Sequence, residues 1–325
     1  MGTVTKSIGT ATRDYSTLQA WEDALPANLV TDGNAQVGEC YNDTEFSASV
    51  VFSGSTTDAT NYIELTAAAG ESFQDHADVQ TNALRYNQSN GVGLTETGNT
   101  TCFSVQEANV TIKRLQSKNT NSYASGSPWH TTTTSLGVSG MEDMICETAN
   151  STQILFAKEG TFRNCLFLIN RSTTGKGHFN SYAGSSVYEN CTFARPSNFT
   201  AGDTAWQIGN TGTTTFKNCA SFGWTTLTAG TGTFAGNNNC SDLAIGFGSS
   251  NQASKTYANQ FEEEDQSVGS DFRLKAGSDM IDTGATLTLA TDIAGTSRPQ
   301  GSAWDIGAWE LVAAAADTLW AQSAL

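Results

Sequence analysis

The sequence is short of the residues that most chemistry needs. Histidine occurs three times and proline four times in 325 residues, and 15% of the side chains are charged. Lys and Arg total 16 against 32 Asp and Glu, a formal net charge of −16. A surface this acidic does not hold a nucleic-acid backbone, which takes clustered Lys and Arg, so no nucleic-acid partner is expected. The seven cysteines are odd in number and form no Cys-x-x-Cys pair. They are expected as reduced packing residues, giving neither a disulfide frame nor a zinc site. No apolar run is long enough to cross a bilayer, so membrane insertion is not expected. The opening Met1-Gly-Thr-Val-Thr-Lys6 lacks the charged-then-apolar pattern of a secretory signal, and Lys6 breaks the myristoylation pattern. Phosphate-cradling loops, EF-hand loops and a nucleophile elbow are missing too. Long helical patterns are scarce. What remains is Gly, Thr, Ser and Asn around short β-type runs, the composition of an all-β chain.

One phrase then recurs. The chain reads Thr161-Phe-Arg-Asn-Cys-Leu-Phe167, then Val187-Tyr-Glu-Asn-Cys-Thr-Phe193, then Thr215-Phe-Lys-Asn-Cys-Ala-Ser-Phe222. Asn164, Asn190 and Asn218 are spaced by 26 and 28 residues, and a looser fourth copy, Thr233-Phe-Ala-Gly-Asn-Asn-Asn-Cys240, follows. Repeats of this length are stacked supersecondary units, since one unit cannot bury its apolar face alone. Asn tolerates the left-handed backbone of a sharp bend, and stacked Asn side chains can hydrogen-bond from rung to rung. Cys165, Cys191 and Cys219 are small enough for an inward position in a narrow core. The aromatic two residues before each Asn should point inward, and the charged residue between them outward.

These rungs, from about Ile112 to Ser241, resemble the right-handed parallel β-helix superfamily of pectate lyases and many phage tailspikes. In that superfamily an Asn ladder marks one bend of each coil. The expected fold is therefore an all-β, right-handed parallel β-helix solenoid with a short N-terminal capping helix and a C-terminal cap. Residues 1–30 should form the N-terminal cap. There Ser16-Thr-Leu-Gln19 fits a capping box, and Leu18, Trp21 and Leu25 share one face before Pro26. The phrase running from Ile8 to Asp23 resembles the start of many phage and bacterial β-helix proteins. Residues 31–260 should form the coils. Residues 261–311 should form the C-terminal cap, where Asp271 to Gly284 and Trp304-Asp-Ile-Gly-Ala-Trp-Glu310 resemble the closing segment of such proteins. Asp305 and Glu310 are expected to tie loop backbone there. Residues 312–325 are left as an apolar docking tail, with Leu319, Trp320 and Leu325 expected to dock on another subunit.

Enzymes of the superfamily cleave acidic polysaccharides on the outer face of the middle coils. The resemblance implies Asp-held calcium and an Arg or Lys base for lyases, and clustered Asp for hydrolases. Hydrolysis generally needs two facing carboxylates, and residues 151–240 hold only Glu159, Glu189 and Asp203 as acids. No catalytic or metal site is therefore expected, and no cofactor; calcium belongs to the lyase alternative alone. The weak candidates that remain are Lys176 and His178, with Asp203 one coil later, as an acid–base group. The expected function is a non-enzymatic virion structural protein on the virion surface, a capsid decoration protein or a tail spike or fibre component. It would meet other virion proteins, assemble as a homotrimer and have a host glycan as a further partner. The alternative is a polysaccharide lyase or glycoside hydrolase. A third reading is a glycan-binding adhesin with Trp129, Trp206 or Trp224 as stacking platforms.

Overall fold

A computed structural model describes residues 2–98, 100–120, 127–131, 139–149, 153–156, 159–170, 175–180, 184–196, 203–209, 211–263 and 270–312. Among them the strands form three long parallel sheets. Sheet I has nine strands and runs from Gly2–Ile8 to Thr233–Ala235. Sheet II has seven, from Gly93–Glu96 to Cys240–Ser241, and sheet III has seven, from Val50–Phe52 to Thr226–Gly230. In the middle of the chain each coil visits sheets I, II and III in turn. Gly160–Arg163, Leu166–Ile169 and Lys176–Asn180 make one coil, and Ser186–Glu189 begins the next. There each parallel pair is joined by a crossover through the other two sheets, the connection that L-residue twist makes right-handed. The chain is a right-handed parallel β-helix.

The repeated phrase forms the corner from sheet I to sheet II. Asn164, Asn190 and Asn218 hold φ of 48°, 52° and 53°. Asn218 Nδ2 donates to Asn190 Oδ1 at 3.0 Å, and Asn164 Nδ2 to Asp143 Oδ1 at 3.0 Å. Cys165, Cys191 and Cys219 are fully buried beside them. Phe162, Tyr188 and Phe216 stand in register and point inward. Their rings stack at 4.7 and 5.0 Å with nearly parallel planes. Each such ring contributes about 1.5–3 kcal/mol by leaving water, and the column continues rung after rung. The intervening charged residues form an outer file of alternating sign: Lys113, Glu142, Arg163, Glu189, Lys217. Glu189 sits between Arg163, at 3.0 Å, and Lys217, at 3.4 Å.

The ladder is longer than the repeat. Arg114 and Asp143 hold the same left-handed conformation at the equivalent corners of earlier coils. The fourth copy, by contrast, is displaced by one residue. Asn238 makes the bend, Asn239 stands where the earlier copies have Cys, and Cys240 pairs with Ala220 on the outer side.

The N-terminal end differs from the expected cap in detail. Gly2–Ile8 is already a strand of sheet I, paired along its length with Asn34–Cys40. The helix α1, Leu18–Glu22, is capped by Thr17, whose side chain accepts from Ala20 N–H, in place of Ser16. Gln19 closes no capping box. Its Oε1 accepts from Val51 N–H at 2.8 Å, and Glu22 accepts from Ser53 N–H at 2.8 Å. The helix therefore covers the first strand of sheet III, an edge that would otherwise be open to pairing. Trp21 fills the first coil over Gly38, where a Cβ would come within 2.9 Å of the indole. A second short helix, α2 at Leu29–Asp32, is capped by Asn28.

The C-terminal end corrects the expectation more sharply. Leu243, Ile245 and Phe247 pack against the interior core, with Phe247 6.0 Å from the Trp206 ring. Segment 261–311 does not finish the stack; it runs back along the outside of sheet II. Asn238 Nδ2 donates to Thr283 O, Asn218 Nδ2 to Ala285 O and Asn164 Nδ2 to Thr291 O. The reason is the outer face of that sheet. Ile145, Leu166, Leu168, Ala194, Ala220 and Phe222 point outward and need cover. Phe272, Leu274, Met280, Ile293, Ile306 and Trp309 supply it in a second core. Within this segment Glu310 accepts from Gln300 N–H and Asp305 N–H and pairs with Arg298 at 2.9 Å. Asp305 accepts from the N–H groups of Asp282 and Leu311. Both acids tie loop backbone, as expected of them. The tail residues Leu319, Trp320 and Leu325 lie outside the described residues.

Candidate functional site

The three residues singled out for acid–base work are not brought together. His178 stands on a strand of sheet III but faces the sealed interior, fully buried, with Nδ1 2.7 Å from Tyr188 Oη. Burial pulls its pKa down to about 3, so the ring is a neutral core group that no substrate reaches. Asp203 is buried at the start of the neighbouring rung. It is spent on the Arg195 guanidinium and on Gly175 N–H. Lys176 lies opposite Thr204 at the strand's start, part-buried, with its pKa lowered by that burial. The pairing runs Gln153–Lys176–Thr204 and Leu155–His178–Trp206 without a change of register, and of the two side chains His178 is fully buried while Lys176 is only part-buried. The tryptophans proposed as stacking platforms are core residues: Trp129 and Trp206 are fully buried and Trp224 is nearly so.

A polar group that sequence reasoning missed lies on the outer face of sheet II. Register puts Thr95, Lys118, Glu147, Leu168, Ala194 and Phe222 in one file. The last three lie under the C-terminal segment, while the first three meet side chains from two earlier loops. Glu147 is fully buried and pairs with Lys118 at 3.3 Å and Arg85 at 3.7 Å. Asn170 Nδ2 also donates to its Oε1, at 3.3 Å. The other oxygen has no hydrogen-bond partner among the described residues. Lys118 lies 5.6 Å over the Tyr86 ring. Tyr86 Oη and Thr95 Oγ1 both donate to Glu45 Oε1, the latter at 2.5 Å. Burial first, then the bond to Glu45, raises the Tyr86 pKa, so the phenol keeps its proton and serves as a donor. Glu45, Tyr86, Lys118 and Glu147 thus form a chain of contacts across the flank. No spacing in the sequence links these four, since two come from loops and two from strands 29 residues apart. A hint was present in the polar start of an otherwise apolar file.

A carboxylate, two cations and a phenol are the ingredients of general acid–base chemistry. Here the cations are spent on Glu147 and the phenol on Glu45, which suits fixed recognition groups better than proton shuttles. Among the described residues no three His, Cys, Asp or Glu side chains are grouped to hold a metal ion, and no helix is long and apolar enough to cross a membrane.

No protein-family model and no curated protein matches the chain. Among solved structures it is similar to the crystal structure of pectate lyase Pel9A. The identity is 15%, over 94% of this chain and 97% of that one, with a TM-score of 0.41. At that identity and superposition the likeness carries no argument about chemistry. It is the strand order and register that make this chain a right-handed parallel β-helix.

Proposed function

We propose that the protein is a non-enzymatic structural β-helix of a virion surface, a capsid decoration protein or a tail spike or fibre component. The observation behind this reading is where the polar side chains go. His178 is consumed by the core, Asp203 by Arg195, and Asp305 and Glu310 by loop backbone. The outward charges of sheet I neutralise one another in an alternating file. Charges so paired along the outer face of sheet I hold neighbouring coils together, the property a particle exposed to its environment needs. Other virion proteins are its proposed partners, and a homotrimer its proposed assembly, by analogy with spikes of this architecture. Residues 312–325, with Leu319, Trp320 and Leu325, are the proposed docking tail.

The test is to prepare particles with the full chain and with residues 312–325 deleted, and to follow the protein through density-gradient sedimentation. The full chain should sediment with particles and the deleted chain should stay at the top. Absence of the full chain from particles overturns the reading. A second reading, a polysaccharide lyase or hydrolase, is favoured by one observation, the Lys118–Glu147–Arg85 group beside Tyr86. Release of unsaturated or reducing ends from acidic glycans, lost in Lys118→Ala, would establish it in place of the first.

A further inference from the structure

At the N-terminal end of the column the approach to α1 and the segment 44–49 face each other across a cleft of about 370 Å³. That is within the range of small-ligand sites. Six hydroxyl side chains line it: Thr10, Ser16, Thr17, Thr44, Ser47 and Ser49. Leu18 and Phe46, both buried, give it an apolar floor. Its one charged lining group is Glu45, and no lining residue is cationic.

Glu45 is more than an exposed acid. Tyr86 Oη and Thr95 Oγ1 both bind its Oε1, and Tyr86 and Thr95 are themselves 3.1 Å apart. Oε1 is thereby held by two donors, while Oε2 receives no hydrogen bond from the described residues. A carboxylate pinned by one oxygen presents the other as an oriented, charge-assisted acceptor, and fixing it beforehand removes an ordering cost from binding. The hydroxyls around it both donate and accept. A ligand matched to this lining carries many hydroxyls, has apolar C–H faces for the floor and bears no negative charge. Anions meet Glu45 directly and the −16 of the whole chain at a distance.

We propose that this cleft binds an uncharged oligosaccharide, with Glu45 accepting hydrogen bonds from the sugar hydroxyls. The site is separate from the Lys176, His178 and Asp203 positions and stands whether or not the column is mounted on a virion. Its preference is opposite to that of a lyase for acidic polysaccharides.

The experiment uses the full chain and saturation-transfer NMR, followed by calorimetry, with cellotetraose, maltotetraose, chitotetraose and tetragalacturonate as probes. At least one neutral tetrasaccharide should bind, and tetragalacturonate should not compete with it. Glu45→Gln should weaken that binding roughly ten- to hundredfold, the loss expected for a charge-assisted hydrogen bond. Ala48→Trp, at an exposed lining position, should abolish it by filling the cleft. Circular dichroism and the melting temperature confirm that both variants are folded. The proposal is overturned if no neutral probe binds at about 10 mM. It is also overturned if tetragalacturonate is preferred, or if both folded variants bind as the wild type does.

Discussion

Asn218→Ala should release the C-terminal segment from the column locally, at Ala285. The Asn218 side chain donates to Asn190 Oδ1 at 3.0 Å and to Ala285 O at 2.7 Å, and it accepts from Ala285 N–H at 2.9 Å. It is fully buried, so water does not replace what is lost. Three hydrogen bonds at about 1 kcal/mol each come to about 3 kcal/mol. Alanine must also hold φ near 53°, where a Cβ without a polar side chain costs roughly 1–2 kcal/mol more. The total is about 4–5 kcal/mol for alanine and about 3 kcal/mol for Asn218→Gly, which is at ease in the left-handed region. Urea unfolding measures the two totals. Amide exchange at Ala285 measures the release, because among the described residues that N–H is hydrogen-bonded to Asn218 alone. Equal loss in the alanine and glycine variants would show that the bend is not strained. An Ala285 amide still protected in Asn218→Ala would remove the clasp from the account.

Two further outcomes follow from the charges. Glu189→Lys puts three cations side by side in the outer file of sheet I, replacing two attractions at 3.0 and 3.4 Å by repulsions. It should lower the melting temperature more in low salt than in high, and a salt-independent loss would refute the electrostatic reading. His178 is neutral in the fold, its pKa pulled to about 3 by burial, whereas an unfolded His titrates near ~6.5. Between those values the unfolded chain binds a proton that the native chain does not. The contribution of His178 is therefore whole above about 6.5 and drains as pH falls toward 3, by up to about 1.4 kcal/mol per pH unit. Asp143 and Glu107, raised to about 7, and Asp305, raised to about 6, act with the opposite sign and lose their contribution as pH rises. A His178→Phe/Tyr188→Phe double variant isolates the His term. It should gain on the wild type as pH falls from 7 to 4, and a constant difference in unfolding free energy would refute the assignment.

Much of the column was legible because the repeat states its own geometry. Aromatic, charge, Asn and Cys alternate in, out, bend, in, and Phe162 to Cys165 occupy those places. Arg114 and Asp143 escaped notice because they bend like Asn without looking like it. The fourth copy misled because three consecutive Asn conceal which one turns. The course of segment 261–311 could have been read. Leu166-Phe-Leu-Ile169 is apolar at every position, and a strand with both faces apolar is covered on both faces. The Glu45–Tyr86–Lys118–Glu147 group could not, because register and two loop excursions assemble it.

The bend residues also explain why the ladder is Asn in some coils and something else in others. Glycine would satisfy the backbone at every corner, so the left-handed φ cannot be the whole reason for asparagine. Asn164, Asn218 and Asn238 each give a side-chain N–H to a carbonyl of the C-terminal segment passing outside, and Asn190 gives its oxygen to Asn218. At Arg114 the neighbour is the loop after Ala67, and the guanidinium reaches Gln74 at 3.0 Å and Asp75 at 2.7 Å. At Asp143 the neighbour is Asn164, whose N–H the carboxyl accepts. Each corner therefore carries the side chain that its outer neighbour can use, among residues that tolerate the turn. The conformation is set by the coil and the identity by what lies against it. That division is why a ladder of six corners contains only four asparagines.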